Sequence, residues 1–278
     1  VTALGQPPPG AARAAHPVLA DPVLATRATS LLTGITLRIE QVLARVTDIG
    51  AAAESIAAAT QVAGPPLRRD DFSPLRPLVA ELLRAQTGLA AGAGIVLAPG
   101  TLADAPRCIE WWWADQQAQV SKLHVDLDPE SAEFYDYTTT EWYREPERTG
   151  QPSVAGPYVD FICTRQYTFT LAAPIRYAGR FIGVAGADIL AAQVERLVLP
   201  GLADLGCTAV LASAHGRVIA STSTSLPPGV ALPRHPQAER FFPLAGPGPQ
   251  PYAGRGQPAD QGQPAGLLPW TLLAVPAG

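Results

Sequence analysis

Between Tyr135 and Asp188 the sequence gathers most of its tyrosines, a Trp142-Tyr143 pair and two separated aspartates, Asp160 and Asp188. Tyr158 and Asp160 stand two apart in an extended run, so their side chains share a face. Aromatic faces beside carboxylates are what a desolvated ammonium ion requires. Each ring quadrupole attracts such a cation by roughly 0.5–2 kcal/mol. A carboxylate at about 4 Å adds roughly 4 kcal/mol at an effective dielectric of 20, before desolvation is subtracted. Two carboxylates held close together repel, so an empty site of this kind favours a positive guest. Asp188 also has a plainer reading, as the N-cap of a helix from Ile189 to Leu197. The two roles are compatible.

These residues need a sheet to hold them. Tyr167 to Ile175 and Phe181 to Ala187 read as two strands joined by the short link Arg176 to Arg180, in which Gly179 supplies the turn. Pro157 to Thr164 reads as a further strand, fed by the turn Gly156-Pro157. A short helix, Thr138 to Glu147, carries Trp142-Tyr143 and follows the acidic loop Asp126 to Asp136. Upstream, Gly94 to Ala98, Arg107 to Ala114 and Ser121 to Leu127 read as strands. Within Trp111-Trp112-Trp113 alternate side chains take opposite faces, and Trp113 is assigned to the pocket wall.

The N-terminal residues 1–20, rich in Pro, Gly and Ala, are expected to be disordered. A long helix is expected over 21–63. Leu32, Ile35, Ile39, Val42, Val46, Ile49, Ala53 and Ile56 recur at three- and four-residue steps. Such a helix is on the order of 55–60 Å long. Its seam either packs along its own domain or forms a homodimer interface, and both can hold at different points. Gly64-Pro65-Pro66 stops it, and Asp71 to Ala85 reads as a second helix. After Asp188 the pattern repeats with a poorer set of strands: Thr208 to Ala212, Arg217 to Ser221, around Arg240 to Leu244, and Trp270 to Val275. His215-Gly216 turns between the first two, and Pro247 to Gly266 is a Gly/Pro/Gln-rich loop. The fold class is therefore α+β: a long N-terminal helix carrying two modules with antiparallel sheets. The larger covers 64–190 and a reduced one covers 191–278.

Composition excludes several functions. With 278 residues and a formal charge of −4 there is no Lys/Arg stripe for nucleic acid and no polybasic membrane patch. Cys108, Cys163 and Cys207 are far apart and outside any CxxC spacing, which argues against disulfides and zinc. The four histidines are scattered, so neither metal nor cofactor is expected. No basic-then-apolar leader is visible. A full-length chain of this kind is expected in the cytoplasm, and a domain excised from a longer protein outside it.

The order Tyr135, Trp142-Tyr143, Pro157-Tyr158-Val159-Asp160 and Gly183-Val184-Ala185-Gly186-Ala187-Asp188-Ile189 resembles the double Cache sensor domains of bacterial chemoreceptors and kinases. Leu268 to Pro276 is similar to the family's closing strand. The resemblance implies two PAS-like modules on one long helix, with the distal module binding ligand. It implies a site of Tyr135, Trp142, Tyr143, Tyr158, Asp160 and Asp188. In the amino-acid-sensing members an Arg two residues before the Trp holds the ligand carboxylate. Here that position is Thr140, which cannot form a bidentate, charge-assisted fork. The chain thus resembles most the branch that senses biogenic amines, polyamines or quaternary amines. Arg144, Arg148 or Arg165 as substitute anchors would keep an amino acid or ω-amino acid in play. Membrane helices and output domains, usual in the family, are absent from the sequence, so it is expected to be either an excised sensor domain or a free-standing one that signals through a separate partner. An enzyme using Asp160 and Asp188 as acid and base, and a purely structural dimerisation protein, are the alternatives from other classes.

Overall fold

A computed structural model describes residues 21–85, 88–115, 119–162, 165–213, 216–232, 242–245, 268 and 270–275. The expected disorder of 1–20, the loop Pro247 to Gly266 and His215 of the second turn lie outside them.

Helix α1 runs from Pro22 to Ala63. Asp21 accepts from the Val23 and Leu24 N–H groups at 2.8 and 3.4 Å, and Pro22 sits where a missing N–H costs nothing. Gly64, at φ 96°, ends the helix by donating to the Thr60 and Gln61 carbonyls. Of its apolar seam, Ile35, Ile39, Val42, Val46, Ile49 and Ala53 are buried in the main core. That stripe is covered by the chain's own sheets, so this stretch takes the first of its two readings.

The main sheet has six antiparallel strands: β1 (Ala90–Leu97), β2 (Cys108–Ala114), β3 (Val120–Lys122), β4 (Ser153–Val159), β5 (Tyr167–Tyr177) and β6 (Arg180–Leu190). Their order is β3-β2-β1-β6-β5-β4. Strand alternation splits the sheet into two faces. Phe169, Leu171, Ala173, Ile175, Ala185, Ala187 and Ile189 join the core under α1. Val96, Trp111, Ala155, Ala172 and Val184 look the other way, into an aromatic layer with Tyr137, Trp142 and Tyr143. Tyr137 comes from a 3-10 turn (Tyr137–Thr139), and the other two from α3 (Glu141–Thr149). The β5–β6 hairpin turns at Ala178-Gly179, both at positive φ (47° and 76°), as the Gly179 link requires.

A second sheet of four strands, β7 (Thr208–Ala212), β8 (Val218–Ser221), β9 (Phe242–Ala245) and β10 (Thr271–Val275), has the order β8-β7-β10-β9. Helix α4 (Ala191–Ala203) packs on it. Phe169 meets Trp270 with ring centroids 5.1 Å apart, so the two sheets share one apolar core. The result is the expected α+β architecture of a long helix with a large and a small antiparallel sheet.

Several boundaries differ from expectation. The second helix opens as a 3-10 segment, Arg69–Leu75, with α2 only from Arg76 to Arg84, because Pro74 and Pro77 remove two donors from the register. The strand expected over Ser121 to Leu127 is only β3. The strand expected over Pro157 to Thr164 lies earlier, as β4, and the chain turns at Asp160. There the Asp160 N–H donates to the Gln166 carbonyl, and the Asp160 carbonyl accepts from the Arg165 N–H. The N-cap reading of Asp188 is overturned. β6 runs on to Leu190, and Leu190 caps α4, its N–H donating to the Gln193 side chain at 3.2 Å. No described helix is long and apolar enough to cross a membrane.

Candidate functional site

On the aromatic face of the large sheet lies a small cavity, with about 40 Å³ of room for the centres of water-sized molecules. Its wall includes Tyr135, Trp142, Tyr158, Asp160 and Asp188. Five residues singled out in the sequence therefore converge, although they come from a loop, a helix, a strand end and two strands. Three do not reach it. Tyr143 is buried behind, edge-on to the rings of Tyr137 and Phe181, with centroids 5.4 Å away in each case. Thr140 turns its hydroxyl back to the Tyr137 carbonyl at 2.7 Å. Trp113 shares its face with Trp111, but it is Trp111 that lines the cavity.

Glycines explain why Trp111 fits. Gly92 and Gly186 sit on the two central strands, and a Cβ on Gly92 would fall 2.7 Å from Trp111 Nε1. One on Gly186 would fall 3.0 Å from the far edge of the same indole, at Cη2. The ring thus lies across a strip of sheet that carries no side chains. Asp188 stands between that strip and β5, paired in register with Gly92 on one side and Thr170 on the other.

Trp111 and Thr170 were not among the residues selected from the sequence. Thr170 carried no signal beyond its place in an alternating strand, three residues after Tyr167. Its hydroxyl donates to Asp188 Oδ1 at 2.6 Å and lies 2.5 Å from the Tyr158 hydroxyl, from which it can accept. Tyr158, Thr170 and Asp188 form one hydrogen-bonded chain across three adjacent strands.

Burial dominates the electrostatics. It pushes the Asp188 carboxyl up to about 7; the Thr170 hydrogen bond works against this, and the charge of Asp160 adds to it. The Trp111 indole N–H also faces this carboxyl and lowers it somewhat, without completing a hydrogen bond of ordinary geometry. Burial likewise raises the Tyr158 phenol, helped by the nearby Asp188 charge, so it stays a neutral donor. Asp160 is buried at the start of its turn, accepting from the Ile162 N–H at 3.1 Å. Among the described residues lining the cavity there is no Lys, Arg or His. Arg144 and Arg165 are exposed, and Arg148 is paired with Glu145 at 2.6 Å. No described cluster of His, Cys, Asp and Glu could hold a metal.

The acidic loop is pinned as a cover. Asp126 and Asp128 accept from the N–H groups of Asp128 and Glu130, each at 3.0 Å. The Tyr135 N–H donates to the Asp126 carbonyl at 2.9 Å, which brings the Tyr135 ring to the cavity. Hydrogen bonding from Ser131 holds the Asp126 carboxyl below its ordinary range.

Residues 78–195, the span that builds this cavity, match the family model for the first PDC sensor domain of methyl-accepting chemotaxis protein-like receptors. The match covers the large module, and the chain resembles a PDC sensor domain there. Solved structures agree on the fold over more of the chain. The structure of a protein described as methyl-accepting chemotaxis protein X superposes with a TM-score of 0.53 at 17% identity, covering 87% of this chain and 96% of that one. The ligand-binding domain of the Pseudomonas aeruginosa PAO1 amino-acid chemoreceptor PctC, in complex with GABA, gives 0.50 at 18% identity, covering 91% and 97%. In sequence, the methyl-accepting chemotaxis protein TlpQ of Pseudomonas aeruginosa is 38% identical over 65 residues, or 23% of this chain. That stretch is 9% of the receptor's length. In the matched module the cavity sits on the sheet face away from α1, roofed by α3 and the acidic loop.

Proposed function

We propose that the large module binds a small ammonium-bearing ligand, and that its occupancy is the signal the chain passes on. The carrying observation is the pair of buried carboxylates, Asp160 and Asp188, in a cavity walled by Trp111, Trp142, Tyr135 and Tyr158 with no basic side chain among its described lining. Carboxylates buried among aromatic rings favour a positively charged guest. A biogenic amine, polyamine or quaternary amine supplies that charge, and the rings supply cation–π contacts.

A second reading, an ω-amino acid, draws on the Trp111 indole N–H. It is a buried donor without a completed hydrogen bond in the protein, and it can serve an acceptor on the ligand. The GABA complex of the PctC domain fits this alternative, but the arginine fork that would anchor a carboxylate is missing at Thr140. The amine reading therefore stands first. A non-enzymatic role goes with it, since tight enclosure of a cation asks for no bond to be broken.

Calorimetric titration with putrescine, histamine, choline, γ-aminobutyrate and alanine tests the choice. At least one simple amine is expected to bind, and at a hundredfold excess over Kd to stabilise the fold by about 2.7 kcal/mol. Binding of alanine with silence from the simple amines would overturn the amine reading.

A further inference from the structure

We infer that Thr170 is a positioning residue of this site, and that it holds Asp188 so that a cation enters by displacing a proton from that carboxyl. The inference rests on the amine reading and adds its regulation by pH. It stands first on geometry. Asp188 is buried in the middle of a sheet, its Oδ1 takes the Thr170 hydroxyl at 2.6 Å, and Tyr158 closes on Thr170 from the next strand.

The groups that face Asp188 are few. From β1 comes Gly92, from β2 the Trp111 indole, from β4 the neutral Tyr158, and from the turn after it Asp160. Tyr135 acts on Tyr158 from the loop. Asp160 is thus the one facing charge among the described groups, and it is of the same sign. Burial lifts the carboxyl toward neutral pH, to about 7, so the empty site can hold a proton on Asp188 there.

Thr170 serves both states. Toward the ionised carboxylate it donates and accepts from Tyr158. Toward the protonated acid it accepts and can donate to Tyr158. The carboxyl therefore keeps one position whichever form it takes. When an ammonium ion arrives, the Asp188 O–H bond breaks heterolytically. The proton leaves to solvent, the carboxylate keeps the electron pair, and the ligand's positive charge replaces that of the proton.

The test is calorimetry with putrescine and choline in buffers of differing ionisation enthalpy, from about pH 5.5 to about 8.5. Choline is a permanent cation and putrescine is fully charged over the range, so any proton released comes from the protein. We expect release of about one proton per ligand at the acid end, about half near pH 7 and almost none at the alkaline end. Kd should rise nearly tenfold per pH unit on the acid side. Thr170→Val, which keeps shape and removes the hydroxyl, should shift the pH at which binding fails upward by about one unit. Thr170→Ser should restore it, and a thermal melt of each variant checks folding. Amine binding with no proton release and a flat pH profile would overturn this inference while leaving the amine reading intact. No binding of either cation at any pH would overturn both.

Discussion

Asp188 carries the tension on which the site works. For most aspartates the folded state favours the charge, but here the shift runs the other way: burial lifts the carboxyl from an ordinary 3.8 to about 7. Between those values the folded protein holds a proton that the unfolded chain has released. The empty protein therefore loses stability as pH rises from about 4 to about 7, by up to roughly 4 kcal/mol at 1.36 kcal/mol per unit. Replacing Asp188 by Asn removes this penalty while keeping an acceptor for Thr170. Denaturant titrations of the ligand-free protein should show Asp188→Asn more stable than the parent at about pH 8 and nearly equal at about pH 4.5, with binding lost throughout. Equal stabilities at both pH values would mean that Asp188 is not strained by its burial. Asp188 and Asp160 were legible in the sequence as candidate ligands. Thr170 was not, because a threonine facing a core carboxylate looks like any other residue of an alternating strand.

At the scale of elements, the site depends on where the sheet leaves room. Gly92 and Gly186 give up side chains on β1 and β6 so that the Trp111 ring can lie flat across them. Adding one methyl at Gly92 places it 2.7 Å from Trp111 Nε1 and 2.8 Å from Trp113 Cε3, which forces the indoles away from the sheet. Gly92→Ala should lower stability by about 1–3 kcal/mol and weaken ligand binding several-fold as Trp111 is driven into the cavity. A thermal melt and a titration check the two effects; unchanged affinity would show that Trp111 does not shape the site. The hairpin of β5 and β6 was legible because Gly179 and the alternating runs mark it. The choice between Trp111 and Trp113 was not. The two share a face, and Trp113 is even the register partner of Gly92, which pairs with Asp188; it is the Trp111 ring, reaching from opposite Gly94 over to Gly92, that lines the cavity. Asp188 was misread as a cap for a related reason: β6 extends two residues further, and Leu190 with Gln193 opens α4 without an acidic cap.

Across the whole molecule, one helix links the parts. The seam of α1 lies under both sheets, and Glu54 on it accepts from the Arg176 N–H at 2.6 Å, at the bulge in β5. On its outer side Arg45 pairs with Glu81 of α2. The sheet that carries the cavity is thus bonded directly to the longest described helix of the chain. The seven-step periodicity made α1 legible, but that pattern alone could not say whether its apolar stripe meets its own sheets or a second chain. We propose that the cavity holds a cation at Asp160 and Asp188. A crystal structure of the protein with its tightest-binding amine tests this most directly. We predict the ligand nitrogen within about 3 Å of an Asp188 carboxylate oxygen if it carries N–H groups, or in van der Waals contact if quaternary, beside Asp160 and against the Trp111 and Trp142 rings. A ligand whose nitrogen lies away from both aspartates, or whose carboxylate occupies that place, would contradict the account.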